Sequence, residues 1–94
     1  MRHCIIVKFV EGVDYKKMLN EIKALFDNCK SIDGVNDVRV LSNCVDRDNR
    51  YDIMIELDMS FNALNAYDNC EWYRIWKDKY GKFIEKKAIF DYED

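Results

Sequence analysis

The chain is 94 residues long, with 49% hydrophobic, 14% aromatic and 35% charged residues and a formal net charge of -3. This length suits one domain, residues 1–94, because two domains would each be too short to bury a core. The apolar content excludes a disordered chain, and no apolar run approaches the roughly 20 residues that cross a membrane. The acidic balance argues against non-specific binding to nucleic acid, which needs clustered positive charge.

The N-terminal segment and the cysteines indicate the compartment. Residues 1–8 lack the apolar stretch and the small-residue cleavage site of a signal peptide, so we expect a cytoplasmic protein. The four cysteines should remain free thiols there. Because they include no Cys-x-x-Cys pair and no zinc-finger spacing, the sequence predicts no metal site, redox site or cofactor.

The first two elements are an alternating strand and an amphipathic helix. Residues 3–10 are rich in β-branched and aromatic side chains, which predicts a strand with His3 and Ile5 on one face. Asp14 then predicts a helix N-cap. The helix should pack one side on a core, because apolar residues recur at spacings of three and four while the opposite face is polar. The apolar positions are Tyr15, Met18, Leu19, Ile22, Leu25, Phe26 and Cys29.

Three further strands follow from the alternation of apolar and polar residues. The pattern places them at residues 35–41, 51–58 and 86–92. Residues 42–50 are polar and form a loop between the first two of these strands. Tyr51, Ile53, Ile55 and Leu57 share one face of the middle strand, which makes its alternation the clearest of the three.

A second helical region lies between the last two strands. Ser60 is a favourable N-cap for its start. Asp68 and Asn69 should interrupt it before a helix at residues 71–80. Gly81 follows that helix and is typical of a helix C-cap.

In chain order the elements are β-α-β-β-α-β. This order predicts an α+β, ferredoxin-like fold with a mostly antiparallel sheet and helices on one face, over Ile5 and Ile55. The opposite face mixes apolar with charged residues, namely Cys4, Ile6, Met54 and Ile89 or Phe90 with Lys8, Asp37, Arg39 and Glu56. Such a face is too apolar for open water. We therefore expect a second copy of the chain to pack against it as a two-fold homodimer.

Four features in this order resemble the stress-responsive A/B barrel domain (Dabb) family of the dimeric α+β barrel superfamily. The strand opening at His3 reads His-x-Ile-Ile-x-Lys-Phe, and Ile32-Asp-Gly-Val35 precedes the second strand. Tyr67 lies in the second helical region, and Ile89-Phe-Asp-Tyr92 closes the chain. The resemblance spans essentially the whole chain and implies a dimer of ferredoxin-like subunits. Family members are mostly of unknown function, but one plant relative is a polyketide cyclase.

The resemblance also implies a pocket between the sheet and the helices. His3 and Tyr67 match two pocket residues of the cyclase branch and are the catalytic candidates. The family pattern after the tyrosine is Tyr-x-x-His-Pro-x-His, whereas this chain has Cys70, Glu71 and Tyr73 at the last three defined positions. Tyrosine, with an ordinary pKa of about 10, is a poor substitute for a histidine base. The implied apolar wall consists of Ile22, Phe26, Val38 and Ile55, and Ile5 and Tyr73 are further ligand contacts.

Three interpretations stay open. The first is a homodimer that binds a small apolar or aromatic molecule, with His3 and Tyr67 as polar contacts. The second is a cyclase-like lyase that acts on a carbonyl compound, with His3 as base and Tyr67 as donor. The third is a structural dimer in which both residues are ordinary core positions. A basic stretch is typical of a solvated surface, with attraction of anions as the alternative; it comprises Lys77, Lys79, Lys82, Lys86 and Lys87.

Overall fold

A four-stranded antiparallel sheet organises the molecule. The computed structural model describes residues 1–94, and the strand order is β2-β3-β1-β4. The strands are β1 (Arg2–Phe9), β2 (Val35–Ser42), β3 (Ile53–Met59) and β4 (Ile84–Tyr92). Their ends differ from the predicted ends by no more than two residues. The predicted α+β, ferredoxin-like fold is confirmed.

Three helices lie on one face of this sheet. Helix α1 (Tyr15–Asp27) continues into a 3-10 turn at Asn28–Ser31, and α2 (Ala63–Asp68) precedes α3 (Glu71–Tyr80). The break between α2 and α3 falls at the predicted position, and α3 has the predicted bounds. None of the helices combines the length and apolar character needed to cross a lipid bilayer.

Of the two predicted N-caps, Asp14 has the predicted position but no capping hydrogen bond, and Ser60 is not the N-cap of α2. Asp14 occupies the cap position of α1, but its side chain caps no N–H group and lies 3.9 Å from the ammonium of Lys17. Its backbone (φ -86°, ψ 79°) is outside the extended conformation typical of a capping residue. Asn62, and not Ser60, holds the cap position of α2. The Ser60 N–H group donates to the carbonyl of Gly34 at 2.9 Å. This bond ties Ser60 to the start of β2, and α2 begins only at Ala63.

The core lies between the helices and the inner face of the sheet. Ile5 of β1 pairs with Ile55 of β3, and both are fully buried. Trp76 of α3 packs edge-on against Phe26 of α1, with ring centroids 5.3 Å apart. The strand faces predicted from alternation are therefore confirmed, since the apolar sets of β1 and β3 both point to the helices. The core includes Ile5, Val7, Phe9, Ile22, Phe26, Ile53, Ile55, Leu57 and Trp76.

The outer face of the sheet is covered by no helix and carries both apolar and charged residues. The register pairs Cys4 with Phe90 across β1 and β4, which places Phe90 on this outer face. Ile89 lies on the inner face, and this settles which of the two residues belongs to the mixed surface. Arg2 and Glu56 form an ion pair of 2.8 Å on the outer face.

Candidate functional site

His3 lies at the inner face of the sheet, at the end of β1 where β4 also ends. It pairs in register with Leu57 on β3 and with Asp91 on β4. Its ring is 5% exposed, and Nδ1 donates a hydrogen bond to a carboxylate oxygen of Asp91. When Asp91 is ionised it can only accept, so Nδ1 carries a proton and Nε2 of neutral His3 is left as the acceptor. In the neutral ring, this hydrogen bond selects the tautomer whose Nε2 can accept a proton.

Tyr67 of α2 packs against His3 and is fully buried. The two rings meet edge to face, with centroids 5.4 Å apart. The Tyr67 hydroxyl is buried and has no hydrogen-bond partner within the protein. Leaving such a group unpaired costs about 1–3 kcal/mol, so it calls for an explanation. Burial, and secondly Tyr73, raises the pKa of Tyr67, so its hydroxyl stays protonated and can donate at neutral pH.

Tyr73 of α3 packs against Tyr67. It is half-buried, and its ring centroid lies 5.1 Å from that of Tyr67. Lys87 on β4 donates to the Tyr73 hydroxyl at 3.5 Å. The main recesses of the surface are lined by residues other than His3 and Tyr67. The structure thus brings His3, Tyr67 and Tyr73 together, but behind packed side chains.

The predicted apolar contacts divide into two groups. Four of them belong to the fully buried core, namely Ile5, Ile22, Phe26 and Ile55. Val38 is only partly buried and lies on β2, two strands away from His3. With Val40 it lines a separate recess beside Lys23. In the register, Leu57 of β3 lies between Val38 and His3.

Two features of the site have no counterpart in the sequence predictions. Asp91 is the first, although strand parity offers a signal, because an antiparallel β1–β4 pair places residues 3 and 91 on one face. The second is a pair of thiols, Cys29 and Cys70. Cys70 precedes α3 and its sulfur accepts the Tyr73 N–H at 3.4 Å, which caps the helix. Burial, and secondly Cys70, raises the pKa of Cys29 to about 12.

Metal ligands are not clustered in the structure. No group of three or more histidine, cysteine or carboxylate side chains is placed to hold a metal ion. His3 and Asp91 form a pair without a third such ligand. The chemistry of the site is therefore that of a histidine–carboxylate pair beside a buried phenol.

The comparisons with known proteins establish the fold. The sequence matches no protein-family model and no curated protein. A Dabb family protein with a ferredoxin-like fold from Mesorhizobium loti is similar in structure, with a TM-score of 0.72 and 14% identity over 99% of this chain and 94% of that chain. A dimeric ferredoxin-like protein of unknown function from Thermobifida fusca has a TM-score of 0.81 and 10% identity over 99% of this chain and 89% of its own.

A third similar structure is an enzyme. The hydroxynitrile lyase from Passiflora edulis has a TM-score of 0.73 and 14% identity, over 97% of this chain and 89% of the lyase. At these identities the likeness concerns the fold alone. The predicted resemblance is confirmed at that level, because the chain has the ferredoxin-like fold of a Dabb family protein.

Proposed function

We propose that the chain is a homodimeric Dabb protein that binds a small apolar or aromatic molecule between sheet and helices. The unpartnered, buried hydroxyl of Tyr67 carries this proposal, because a ligand oxygen would give it the acceptor that the protein does not provide. A carbonyl or hydroxyl group of the ligand meets that need. His3, held by Asp91, offers a second polar contact next to the same ring.

Access to Tyr67 depends on Tyr73. The Tyr73 ring lies beside Tyr67 and is only half-buried, and its outward rotation would open a path to the Tyr67 hydroxyl. Ile89 on β4 is 50% exposed although it lies on the inner face, beside the row of His3 and Ile5. An apolar ligand that enters here covers the exposed side chain of Ile89. The burial of this apolar surface contributes to the binding free energy, in addition to the hydrogen bond at Tyr67.

Assembly and location complete the proposal. The outer face exposes Phe90 and buries Glu56 beside Arg2, and a second copy of this sheet gives Phe90 a partner. The similar protein from Thermobifida fusca is dimeric, which supports assembly as a dimer. We place the protein in the cytoplasm, since its four free cysteines suit a reducing compartment.

The dimer is tested by comparing two exposed phenylalanines. Phe90 on the outer sheet face is 61% exposed, and Phe61 before α2 is 63% exposed. At micromolar concentration we expect sedimentation to give twice the 11.3 kDa chain mass. Phe90→Asp should yield monomers, because it buries an unpaired charge in the interface, whereas Phe61→Asp should remain dimeric. A monomeric wild-type protein contradicts the proposal.

Ligand binding is tested with two naphthalenes that differ in one oxygen. 2-Acetonaphthone carries a carbonyl group, and 2-ethylnaphthalene has nearly the same shape without it. Tyr67→Phe removes only the hydroxyl, and we expect it to weaken binding of the ketone about 5- to 10-fold, equivalent to about 1–1.4 kcal/mol. Affinity for the hydrocarbon, measured by NMR titration, should stay unchanged.

Tyr80→Phe is the matched control for this experiment. The Tyr80 hydroxyl donates to Glu21 at 2.7 Å and lies outside the proposed site. Its removal should leave the affinities for both naphthalenes as in the wild type. If neither naphthalene binds, or if Tyr67→Phe binds the ketone as well as the wild type does, the binding proposal is rejected.

The His3–Asp91 pair favours a lyase as the second candidate function. In this reaction His3 Nε2 removes a proton from the carbon next to a carbonyl, and Tyr67 donates to the oxyanion that forms. The structural likeness to a hydroxynitrile lyase supports this alternative. The enzyme should exchange the methyl protons of 2-acetonaphthone for deuterium in D₂O, which NMR detects, and His3→Gln should stop this exchange. Equal exchange rates in both proteins would exclude the role of His3 as base.

A further inference from the structure

A positively charged recess lies between α3 and β4, on the strand that also carries Asp91. Its volume is about 270 Å³. Trp76 and Ile84 supply its apolar wall, and its charged lining comprises Lys77, Lys86, Lys87 and Glu85. The Lys86 ammonium lies 5.4 Å from the ring centroid of Tyr51, which does not line the recess. Lys77 and Lys87 thus bring two ammonium groups to a recess with one carboxylate, although the whole chain has a net charge of -3. The recess therefore attracts anions in an otherwise acidic protein.

Two of these lysines converge on Tyr73. The Lys77 ammonium lies 4.7 Å from the ring centroid of Tyr73, and that of Lys87 lies 5.8 Å from it. Neither forms a salt bridge, whereas Lys79 pairs with Glu21 at 2.8 Å. Lys87 also donates to the Tyr73 hydroxyl at 3.5 Å, so both ammonium groups lie at one tyrosine and neither has a carboxylate partner. A carboxylate placed between them would stabilise both.

Strand β4 contributes residues both to the recess and to the His3–Tyr67 site. Lys87, Ile89 and Asp91 share the inner face of the strand, since they pair with alternate residues of β1. Four residues of strand span about 13 Å, and exposed Ile89 lies in the middle of this distance. The exposed apolar side chain of Ile89 thus lies between Lys87 at one end and the His3–Asp91 pair at the other. The Asp91 carboxylate repels anions, so a charged ligand would bind with its anionic end at the lysines.

We propose that the ligand of the His3–Tyr67 site carries a carboxylate, and that Lys77 and Lys87 bind this group in the recess. The inference rests on the proposed function and specifies its ligand class as an aromatic or apolar carboxylic acid with an oxygen at the opposite end. It gives part of the basic stretch at the C-terminal end of the chain a definite role. Lys82 has no part in it, because its ammonium lies over Phe83 outside the recess.

The test compares 6-acetyl-2-naphthoate with 6-acetyl-2-naphthamide, which have nearly the same shape and differ in charge. By calorimetry, the wild-type protein should bind the carboxylate about 10-fold more tightly than the amide. Lys77→Met combined with Lys87→Met should abolish this preference, because it weakens binding of the carboxylate far more than binding of the amide. Lys17→Met combined with Lys82→Met changes the net charge equally at other exposed sites and should retain the preference.

The outcomes separate this inference from the proposed function. Raising NaCl from about 50 mM to about 500 mM should reduce the preference, because salt screens the ion pairs. Equal affinities of wild-type protein for acid and amide would overturn the inference and leave the proposed function intact. A preference that survives loss of Lys77 and Lys87 would also overturn it. If neither compound binds, both proposals fail.

Discussion

The inner face of the sheet has two parts with different properties. The core part, built around Ile55, Phe26 and Trp76, is fully buried and consists of apolar contacts. The β4 part, built around Tyr67 and Asp91, combines an unpaired hydroxyl with a half-exposed carboxylate. The core part gains stability from close packing, whereas the β4 part retains polar groups that packing alone does not satisfy. The contrast indicates that the stability of the fold and the proposed binding are carried by different parts of one surface.

The largest effect on stability should come from truncating the core part. Phe26→Ala removes a fully buried ring that packs against Trp76, and we expect a loss of about 3–5 kcal/mol in the free energy of unfolding. Phe61→Ala is the control at an exposed position and should change stability by less than about 0.5 kcal/mol. Urea denaturation followed by circular dichroism, at one fixed protein concentration, measures both. Equal losses in the two variants would show that the core part is not tightly packed.

The core part could be predicted from the sequence because its signals are local. Apolar spacing in residues 15–29 locates α1, and the sides of Ile53 and Ile55 follow from alternation alone. Helix α3 has its predicted bounds, since Asn69 and Gly81 interrupt the pattern on either side. Capping was less predictable, because the conformation of Asp14 depends on how the preceding turn folds.

The β4 part depends on contacts between segments that are distant in sequence. The pairing of His3 with Asp91 follows from strand register over 88 positions, which composition does not reveal. The position of Tyr67 in a helix follows from spacing, but its unpaired hydroxyl follows from what Tyr73 and His3 leave around it. The contact of Lys87 with Tyr73 is likewise a result of tertiary packing. The resemblance to a family identified His3 and Tyr67, but it did not reveal Asp91.

A smaller effect is expected when the carboxylate of the β4 part is removed. Asp91→Ala leaves Nδ1 of the buried His3 ring without its partner, which should cost about 1–2 kcal/mol, because water can reach the half-exposed site and replace part of the bond. Asp37→Ala is the control, since Asp37 is exposed and lies 3.8 Å from Lys30; it should cost less than about 0.5 kcal/mol. Urea denaturation of both variants tests the difference. No loss in Asp91→Ala would show that this pair does not stabilise the fold.

The smallest expected effect on the free energy of unfolding comes from removing a single hydroxyl group, that of Tyr67 or that of Tyr80. Tyr67→Phe should leave the unfolding free energy at about pH 7 unchanged or raise it by up to about 1 kcal/mol, since it removes an unpaired buried group. Tyr80→Phe should instead lower it, because the Tyr80 hydroxyl donates to Glu21 at 2.7 Å.

At alkaline pH the two tyrosine variants should differ from the wild type in the same direction in their loss of stability. Burial raises the pKa of both Tyr67 and Tyr80 in the folded protein, and a hydrogen bond to Glu21 contributes at Tyr80. The folded protein therefore favours the protonated phenols over the ionised ones. This contribution to the free energy of unfolding is complete below the unfolded pKa of about 10 and is lost as the pH rises above it. Each variant should lose less stability than the wild type between about pH 9 and pH 11, measured by urea denaturation. At neutral pH only Tyr80→Phe should lower the free energy of unfolding, whereas at alkaline pH both variants should lose less of it than the wild type. This combination would distinguish the unpaired hydroxyl of Tyr67 from the paired hydroxyl of Tyr80. Equal losses in the two variants at neutral pH would mean that the Tyr67 hydroxyl has a hydrogen-bond partner.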